Sequence, residues 1–245
     1  MFKKLSLELG GKNPNIVFDD ADFEKAVSMA VKAGFSNQGQ ICLCGSRLFV
    51  QDTIYEKFKI ALLEKISELV IGSPLDDKTD VGAVVSYEHM TKILARIDEA
   101  KELGGDILCG GKRKILPGNL KSGYYIEPTV IEGLSYNSSI NQEEIFGPVL
   151  SIMPFKTEEE VIMMANSTKY GLSASIFTSD ISRGHRVAAK VKSGTITSSP
   201  SDQPCLSFNA AKATCKADVP LFINKECLTS CILENSFSNL LVIGP

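Results

Sequence analysis

Two cysteines, Cys42 and Cys44, stand in the stretch FSNQGQICLCGSR, residues 35–47, and an acid, Glu8, stands beside a glycine pair in LELGGKNP, residues 7–14. A thiolate is a strong nucleophile. A free thiol with a pKa of about 8.5 is only a few per cent ionised at neutral pH, so a reactive cysteine needs a partner. A carboxylate in such a place can take a proton and act as a base. Taken singly, each feature has a plainer reading: cysteine is among the most buried residue types, and a Glu beside glycines is ordinarily a solvated loop residue. Two residues at separate places that complement each other chemically carry more weight than either alone.

Other chemistries fit less well. A Cys-His hydrolase would need His89 or His185 beside Cys42, yet both histidines fall on predicted helix surfaces among charged residues. Cys42-x-Cys44 is too tight for a structural zinc pair, which has two to four intervening residues. Cys205, Cys215, Cys227 and Cys231 offer a second cysteine set but no supporting histidine, so no metal site is expected. Cys44 reads as a packed neighbour that can oxidise with Cys42.

Positioning such residues requires a scaffold, and the periodicity supplies one. Residues 15–18 read as a strand, followed by a helix capped by Asp20 with Phe23, Ala26, Val27 and Ala30 on one face and an end near Gly34. Residues 47–51 read as a second strand, and Asp52 is placed to cap a helix bearing Ile54, Phe58, Ala61, Leu62, Ile66 and Leu69. A third helix carries Met90, Ile93, Leu94, Ile97 and Ala100 inward and stops at Gly104-Gly105. Strands are expected at 106–109, 125–130, 149–155 and 173–177, with helices at 157–166 and 183–192. This alternation predicts an α/β three-layer sandwich with a mostly parallel sheet, because parallel neighbours need crossover helices.

Composition narrows the class further. Of the 245 residues 44% are hydrophobic and 22% charged, and the formal net charge is -3 with both signs interspersed, which provides a sizeable core and no basic footprint for nucleic acid. No apolar run reaches the roughly 18 residues a bilayer crossing needs, and the N-terminus has no signal-peptide core. An odd number of cysteines, seven, is not the framework of a small disulfide-stapled domain, so reduced thiols and a cytoplasmic location are expected. Beyond Gly194 the texture changes: residues 195–245 hold one glycine, seven charged residues and four of the seven cysteines. They read as an extension of different character.

LELGGKNP and FSNQGQICLCGSR, whose acid and first cysteine stand 42 − 8 = 34 positions apart, together with EEIFGPV at 143–149, resemble the glutamate, cysteine and cofactor-contact motifs of the aldehyde dehydrogenase superfamily. The likeness runs from Lys4 to about Thr195 and takes in PLDDKTDVGAVVS, GYYIEPTV and ANSTKYGLSASIFTSD. ICLCGSR and KYGLSASIFTSD are most similar to the 2-aminomuconic and 2-hydroxymuconic semialdehyde dehydrogenase branch. The resemblance implies that Cys42 attacks an aldehyde, that hydride passes to NAD (with NADP left open), and that Glu8 activates the water which hydrolyses the resulting thioester. It implies that Glu144 holds ribose hydroxyls, that Phe146 packs near the nicotinamide, that Gly10 contacts the cofactor, and that Asn13, Phe35, Gly39 and Gln40 shape the site.

On the same basis residues 1–14 are expected to be a remnant of the junction with a cofactor domain, 15–195 the catalytic domain, and 196–245 a divergent extension. The family places a dinucleotide-binding domain, with an oxyanion-hole asparagine, ahead of the glutamate motif, and a PFGG segment after the position where VKSGT stands here. Their replacement or absence implies a chain with little dehydrogenase activity of its own. The implied partners are a small aldehyde and either a second copy or a full-length subunit; nucleic acid and membrane are not expected. The competing reading is a non-catalytic truncated subunit or pseudoenzyme that works by association.

Overall fold

The structure is a computed structural model in which residues 9–199 and 206–208 are described. Glu8, the four cysteines from Cys205 onward and most of the 196–245 extension therefore lie outside the described residues. In chain order the strands are Pro14–Val17 (β1), Arg47–Gln51 (β2), Asp106–Cys109 (β3), Arg113–Lys114 (β4), Tyr125–Ile126 (β5), Thr129–Glu132 (β6), Val149–Phe155 (β7), Ser173–Phe177 (β8), Thr195–Ser199 (β9) and Leu206–Phe208 (β10). The helices are Phe23–Phe35 (α1), Tyr55–Ser67 (α2), Tyr87–Glu102 (α3), Ser139–Gln142 (α4), Glu158–Ala165 (α5) and Ile181–Lys190 (α6). The main sheet has the order β10-β9-β8-β1-β2-β7-β6-β3, and β4 and β5 form a separate ribbon. All its pairings are parallel except β9 with β10 and β3 with β6.

Strand alternation explains the three layers. Val17, Leu48, Val50, Leu150 and Ile152 point to one face and pack with Val27, Val31, Phe58 and Leu62 of α1 and α2. Ile16, Phe49, Met153 and Ile176 point to the other and pack with Val161 and Met164 of α5 and Val187 of α6. A third cluster joins Met90, Ile93 and Ile97 of α3 to Ile131, Ile140, Ile145 and Val149. The expected three-layer α/β sandwich with a mostly parallel sheet is the observed architecture.

Several local expectations change. Asp22, not Asp20, caps α1, its carboxylate accepting from the Lys25 amide. Asp20 instead accepts from Thr178 and Ser179 hydroxyls, the Asp180 amide and Arg183, tying β1 to the end of β8. Asp52 opens a short 3₁₀ turn, Asp52–Ile54, and α2 starts only at Tyr55, ending before Leu69. The expected strand over 125–130 is two strands in different sheets, because Pro128 has no amide to donate and interrupts the ladder between them. Asp180 caps α6, so that helix begins two residues earlier than its apolar pattern suggests. Beside β8, strand β9 continues the parallel sheet through residues 195–199.

Candidate active site

The three motifs singled out from the sequence share one property: each runs straight into a strand. LGGKN leads into β1, QICLCGS into β2, and EEIFGP into β7. These strands are adjacent and parallel, with Pro14 opposite Arg47 and Arg47 opposite Ser151, so their upstream loops lie side by side at the amino-terminal edge of the sheet. Ligands in ordinary open α/β sheets sit at the carboxyl ends of the strands, so this edge is the less usual place for a site.

Close backbone contacts bind the loops together. The Asn13 side chain donates to the carbonyls of Cys42 at 2.8 Å and Cys44 at 2.9 Å, while its own carbonyl oxygen accepts from the Ser173 amide at 3.0 Å. One buried amide thus fixes the cysteine loop to both β1 and β8. The Gly11 amide donates to Glu144 Oε1 at 2.9 Å. Gly10 has φ +74°, and a Cβ there would lie 2.4 Å from Glu144 Oε2. At Gly39, φ +69°, a Cβ would sit 2.1 Å from the Gly147 carbonyl oxygen. Both positions need glycine for conformation, and Gly39 needs it also for space, because the atom it faces is backbone.

The turn into the cysteine loop is strained. Asn37, Gln38 and Gly39 all have positive φ, 49°, 57° and 69°. For a residue such as Gln38 this costs on the order of 1–3 kcal/mol and persists only where neighbours over-determine it. The determinants are visible: Gln38 Oε1 accepts from the Gly82 amide at 3.0 Å, and Asn37 donates to the Gln40 carbonyl at 3.1 Å. Nothing in the sequence flagged this turn, since neither Asn nor Gln announces a left-handed pair.

Of the expected site residues, Cys42, Gly10, Glu144 and Phe146 come to this edge. Cys42 is half-buried. Cys44 is buried, and burial pushes its thiol up to about 12, with the nearby Cys42 and Glu144 charges adding to the effect, so it is a protonated packing group at neutral pH. Phe146 has φ +56° and a partly exposed ring. Phe35 lies elsewhere: it ends α1 with its ring in the α1/α2 core, so it supports the turn from beneath rather than lining the site. A small open cleft runs along the edge, with Gly11, Gly39, Ile41, Cys44, Glu144 and Phe146 in its walls. Among the described residues there is no cluster of three or more His, Cys, Asp or Glu able to hold a metal, and no helix long and apolar enough to cross a membrane.

Two buried cations flank the edge, and neither stood out in the sequence. Arg47, 1% exposed, donates to the carbonyls of Lys12 (2.8 Å), Met164 (3.0 Å) and Ala165 (2.8 Å). Burial lowers its pKa to about 10, leaving it charged at neutral pH. Lys12 is 2% exposed, and burial, reinforced by the charges of Arg47 and Arg96 and opposed by Glu144, lowers its amine to about 7.

The Lys12 shift carries a pH prediction. Between about 7 and 10.5 the unfolded chain binds a proton that the folded chain does not, so stability rises with pH across that window. Below it both states are protonated and the full cost of burying the ammonium applies, a few kcal/mol at about 1.4 kcal/mol per pH unit. The urea midpoint of the wild type should therefore climb from pH 6.5 to pH 9.5 relative to that of Lys12→Met. Parallel curves for the two proteins would mean that Lys12 stays hydrated and charged.

Comparison with known proteins fits this geometry. The family model described as "Aldehyde dehydrogenase family" matches residues 1–204. The chain belongs to the aldehyde dehydrogenase family. It is 47% identical over 196 residues to a 2-aminomuconic semialdehyde dehydrogenase of Danio rerio, covering 79% of this chain and 40% of that protein. It is 45% identical over 195 residues to a 4-trimethylaminobutyraldehyde dehydrogenase A of the same organism, covering 79% and 38%. The semialdehyde branch singled out by sequence is thus among its relatives. Among solved structures, a betaine aldehyde dehydrogenase of Staphylococcus aureus in complex with NAD+ superposes with a TM-score of 0.76 at 43% identity, covering 82% of this chain and 41% of that one. An apo point mutant of that enzyme gives 0.75 at 46% identity, over 77% and 38%. The aldehyde dehydrogenase chain thus spans about two-fifths of the length of these relatives.

Proposed function

We propose that this chain carries the nucleophile-bearing part of an NAD-dependent aldehyde dehydrogenase, with Cys42 as nucleophile, Glu8 as general base, and Gly10, Glu144 and Phe146 as cofactor contacts. The observation that carries the reading is the meeting of the three motifs at one sheet edge, with Glu144 hydrogen-bonded to the Gly11 amide and Asn13 holding the Cys42 carbonyl. The cofactor fits the residues present. Glu144 uses Oε1 on Gly11 and keeps lone pairs for ribose hydroxyls, the bare Cα of Gly10 leaves Oε2 uncrowded, and the partly exposed Phe146 ring offers an apolar surface.

Each residue then has a defined task. The Cys42 thiolate adds to the aldehyde carbon and forms a tetrahedral thiohemiacetal, its negative oxygen poised to collapse. NAD, when bound, supplies the hydride acceptor. The thioester left on Cys42 is attacked by water as Glu8 takes the water's proton; the carbon–sulfur bond breaks, releasing the acid and restoring the thiolate. Sulfur serves both halves, as a good nucleophile and a good leaving group. Asn13 holds the backbone of the cysteine loop during both halves, and Cys44, kept protonated by burial, does not compete for substrate.

Relatives such as the semialdehyde and betaine aldehyde dehydrogenases point to an aldehyde bearing a polar or charged group as substrate. NADH formation followed by absorbance, on a semialdehyde or betaine aldehyde, tests this reading with the wild type and Cys42→Ala side by side. The rate should fall by at least about 10³-fold in Cys42→Ala, and equal rates for the two proteins would contradict it.

A further inference from the structure

Helix α3 presents one face, His89, Ile93 and Arg96, to the segment that carries Glu144 and Phe146. Spacings of four and three put these side chains on a single stripe. Arg96 donates to the Ser139 carbonyl at 2.8 Å and stands 3.4 Å from the Glu143 carboxylate. Ile93 packs so tightly on Gly147 that a Cβ there would lie 2.5 Å from its Cδ1. His89 closes the row: its Nε2 is 2.6 Å from the Phe146 carbonyl oxygen, and its ring meets the Phe146 ring edge-on, 6.2 Å between centroids at 62°. A carbonyl oxygen only accepts, so Nε2 carries the proton.

Phe146 is the residue of this segment that most needs holding. A phenylalanine at φ +56° is unfavourable by on the order of 1–3 kcal/mol and stays there only under restraint. His89 is itself well placed to restrain it, being in the first turn of α3 with its amide bonded to the capping Ser86 hydroxyl at 3.1 Å. Two residues upstream, Glu144 reaches the Gly11 amide.

We propose that His89 is a positioning residue for the cofactor loop: its hydrogen bond to the Phe146 carbonyl holds the left-handed turn that sets Phe146 and delivers the Glu144 carboxylate to Gly11. The functional half of this rests on the reading of Glu144 and Phe146 as cofactor contacts; the structural half does not. Three substitutions separate the contributions. His89→Gln keeps a donor at about the same reach, His89→Phe keeps a ring without a donor, and His89→Ala removes both.

The chain contains a single Phe-Gly dipeptide, Phe146-Gly147. Labelling Phe carbonyls with ¹³C and Gly amides with ¹⁵N therefore gives one carbonyl-to-amide NMR correlation that reports the Phe146 carbonyl in the full chain. The bond predicts an upfield move of that carbonyl in His89→Phe and His89→Ala and little change in His89→Gln. The Gly11 amide should lose its carboxylate-bonded shift in the same two variants and keep it in the third, while core amides of β1 and β2 stay in place. An unmoved Phe146 carbonyl or Gly11 amide in His89→Phe overturns the proposal whatever the chain does with NAD.

An NAD titration of the same proteins tests the functional half. Affinity should fall about tenfold in His89→Phe, the worth of one hydrogen bond, and recover in His89→Gln. Equal affinity of wild type and His89→Phe, with the Gly11 amide displaced, would overturn the link to the cofactor. A wild type with no NAD affinity would overturn the cofactor reading itself and leave the loop-positioning role to be decided by the two NMR shifts.

Discussion

Arg47→Ala should destabilise the chain by about 3–5 kcal/mol, the combined effect of orphaned buried carbonyls and the cavity left by a large side chain. Two carbonyls, those of Lys12 and Ala165, rely on this guanidinium, while the Met164 carbonyl, which it also reaches, accepts in addition from the Ser167 hydroxyl at 2.8 Å and the Ser167 amide at 3.3 Å. The Lys12 and Ala165 carbonyls would be left in the interior without that donor, at about 1–3 kcal/mol apiece. The emptied volume adds a cavity cost, while relief from burying a cation offsets part of the sum. The consequence is more than a loss of stability. Arg47 opens β2 immediately after the cysteine loop and reaches both the Lys12 carbonyl beside the site and the last turn of α5 across the sheet. Its removal should loosen the cysteine loop before the rest of the fold. Arg47→Lys should recover only part of the loss, because an ammonium on a flexible stem does not match the planar fork. Urea unfolding at pH 7 gives the free energies, and a cost below about 1 kcal/mol for Arg47→Ala would show that water replaces the guanidinium at all three carbonyls.

Cys42→Ala should abolish acyl transfer by the chain, lowering hydrolysis of an activated ester by at least about 10³-fold, in keeping with the loss of a nucleophile in enzymes that act through a covalent intermediate. Cys44→Ala should leave it within a few-fold of wild type, since the Cys44 thiol is buried and held protonated and does not attack. Ester hydrolysis isolates the nucleophile from the redox step, because acyl transfer to and from sulfur needs no hydride acceptor. Glu8→Gln should leave acylation and slow deacylation, so that an acyl group accumulates on the protein. Equal rates for wild type and Cys42→Ala would assign the chemistry to another residue and remove the mechanism proposed above.

Much of the scaffold was legible because the sheet strands are short β-branched and aromatic runs closed by polar turns; β2, β3, β7 and β8 fall where periodicity placed them. The misplacements have local causes. Asp20 and Asp22 both precede an apolar helix, and only the position of β8 decides that Asp20 serves Thr178 and Arg183 while Asp22 caps. Pro128 splits a run that reads as continuous. At the site, the resemblance to the family's motifs pointed to Cys42, Gly10, Glu144 and Phe146, but the reason they meet lies in strand order. β7 joins β2 although about a hundred residues separate them, and no local pattern encodes that neighbour. His89 was invisible for the same reason: its helix face reads as solvated until the Glu144 loop is laid against it. Nothing local marks Arg47 and Lys12 as buried cations, and only the layers on both sides of the sheet bury them.

Mass mapping of covalent adducts tests whether a single activated sulfur sits at the amino-terminal edge of the sheet. The native chain is exposed briefly to a substoichiometric activated ester or iodoacetamide, quenched, and digested. The modification should fall predominantly on Cys42, faster than on a free thiol and sparing Cys44 and Cys109. Labelling spread over the cysteines at an ordinary thiol rate, or concentrated on any other than Cys42, would contradict the assignment.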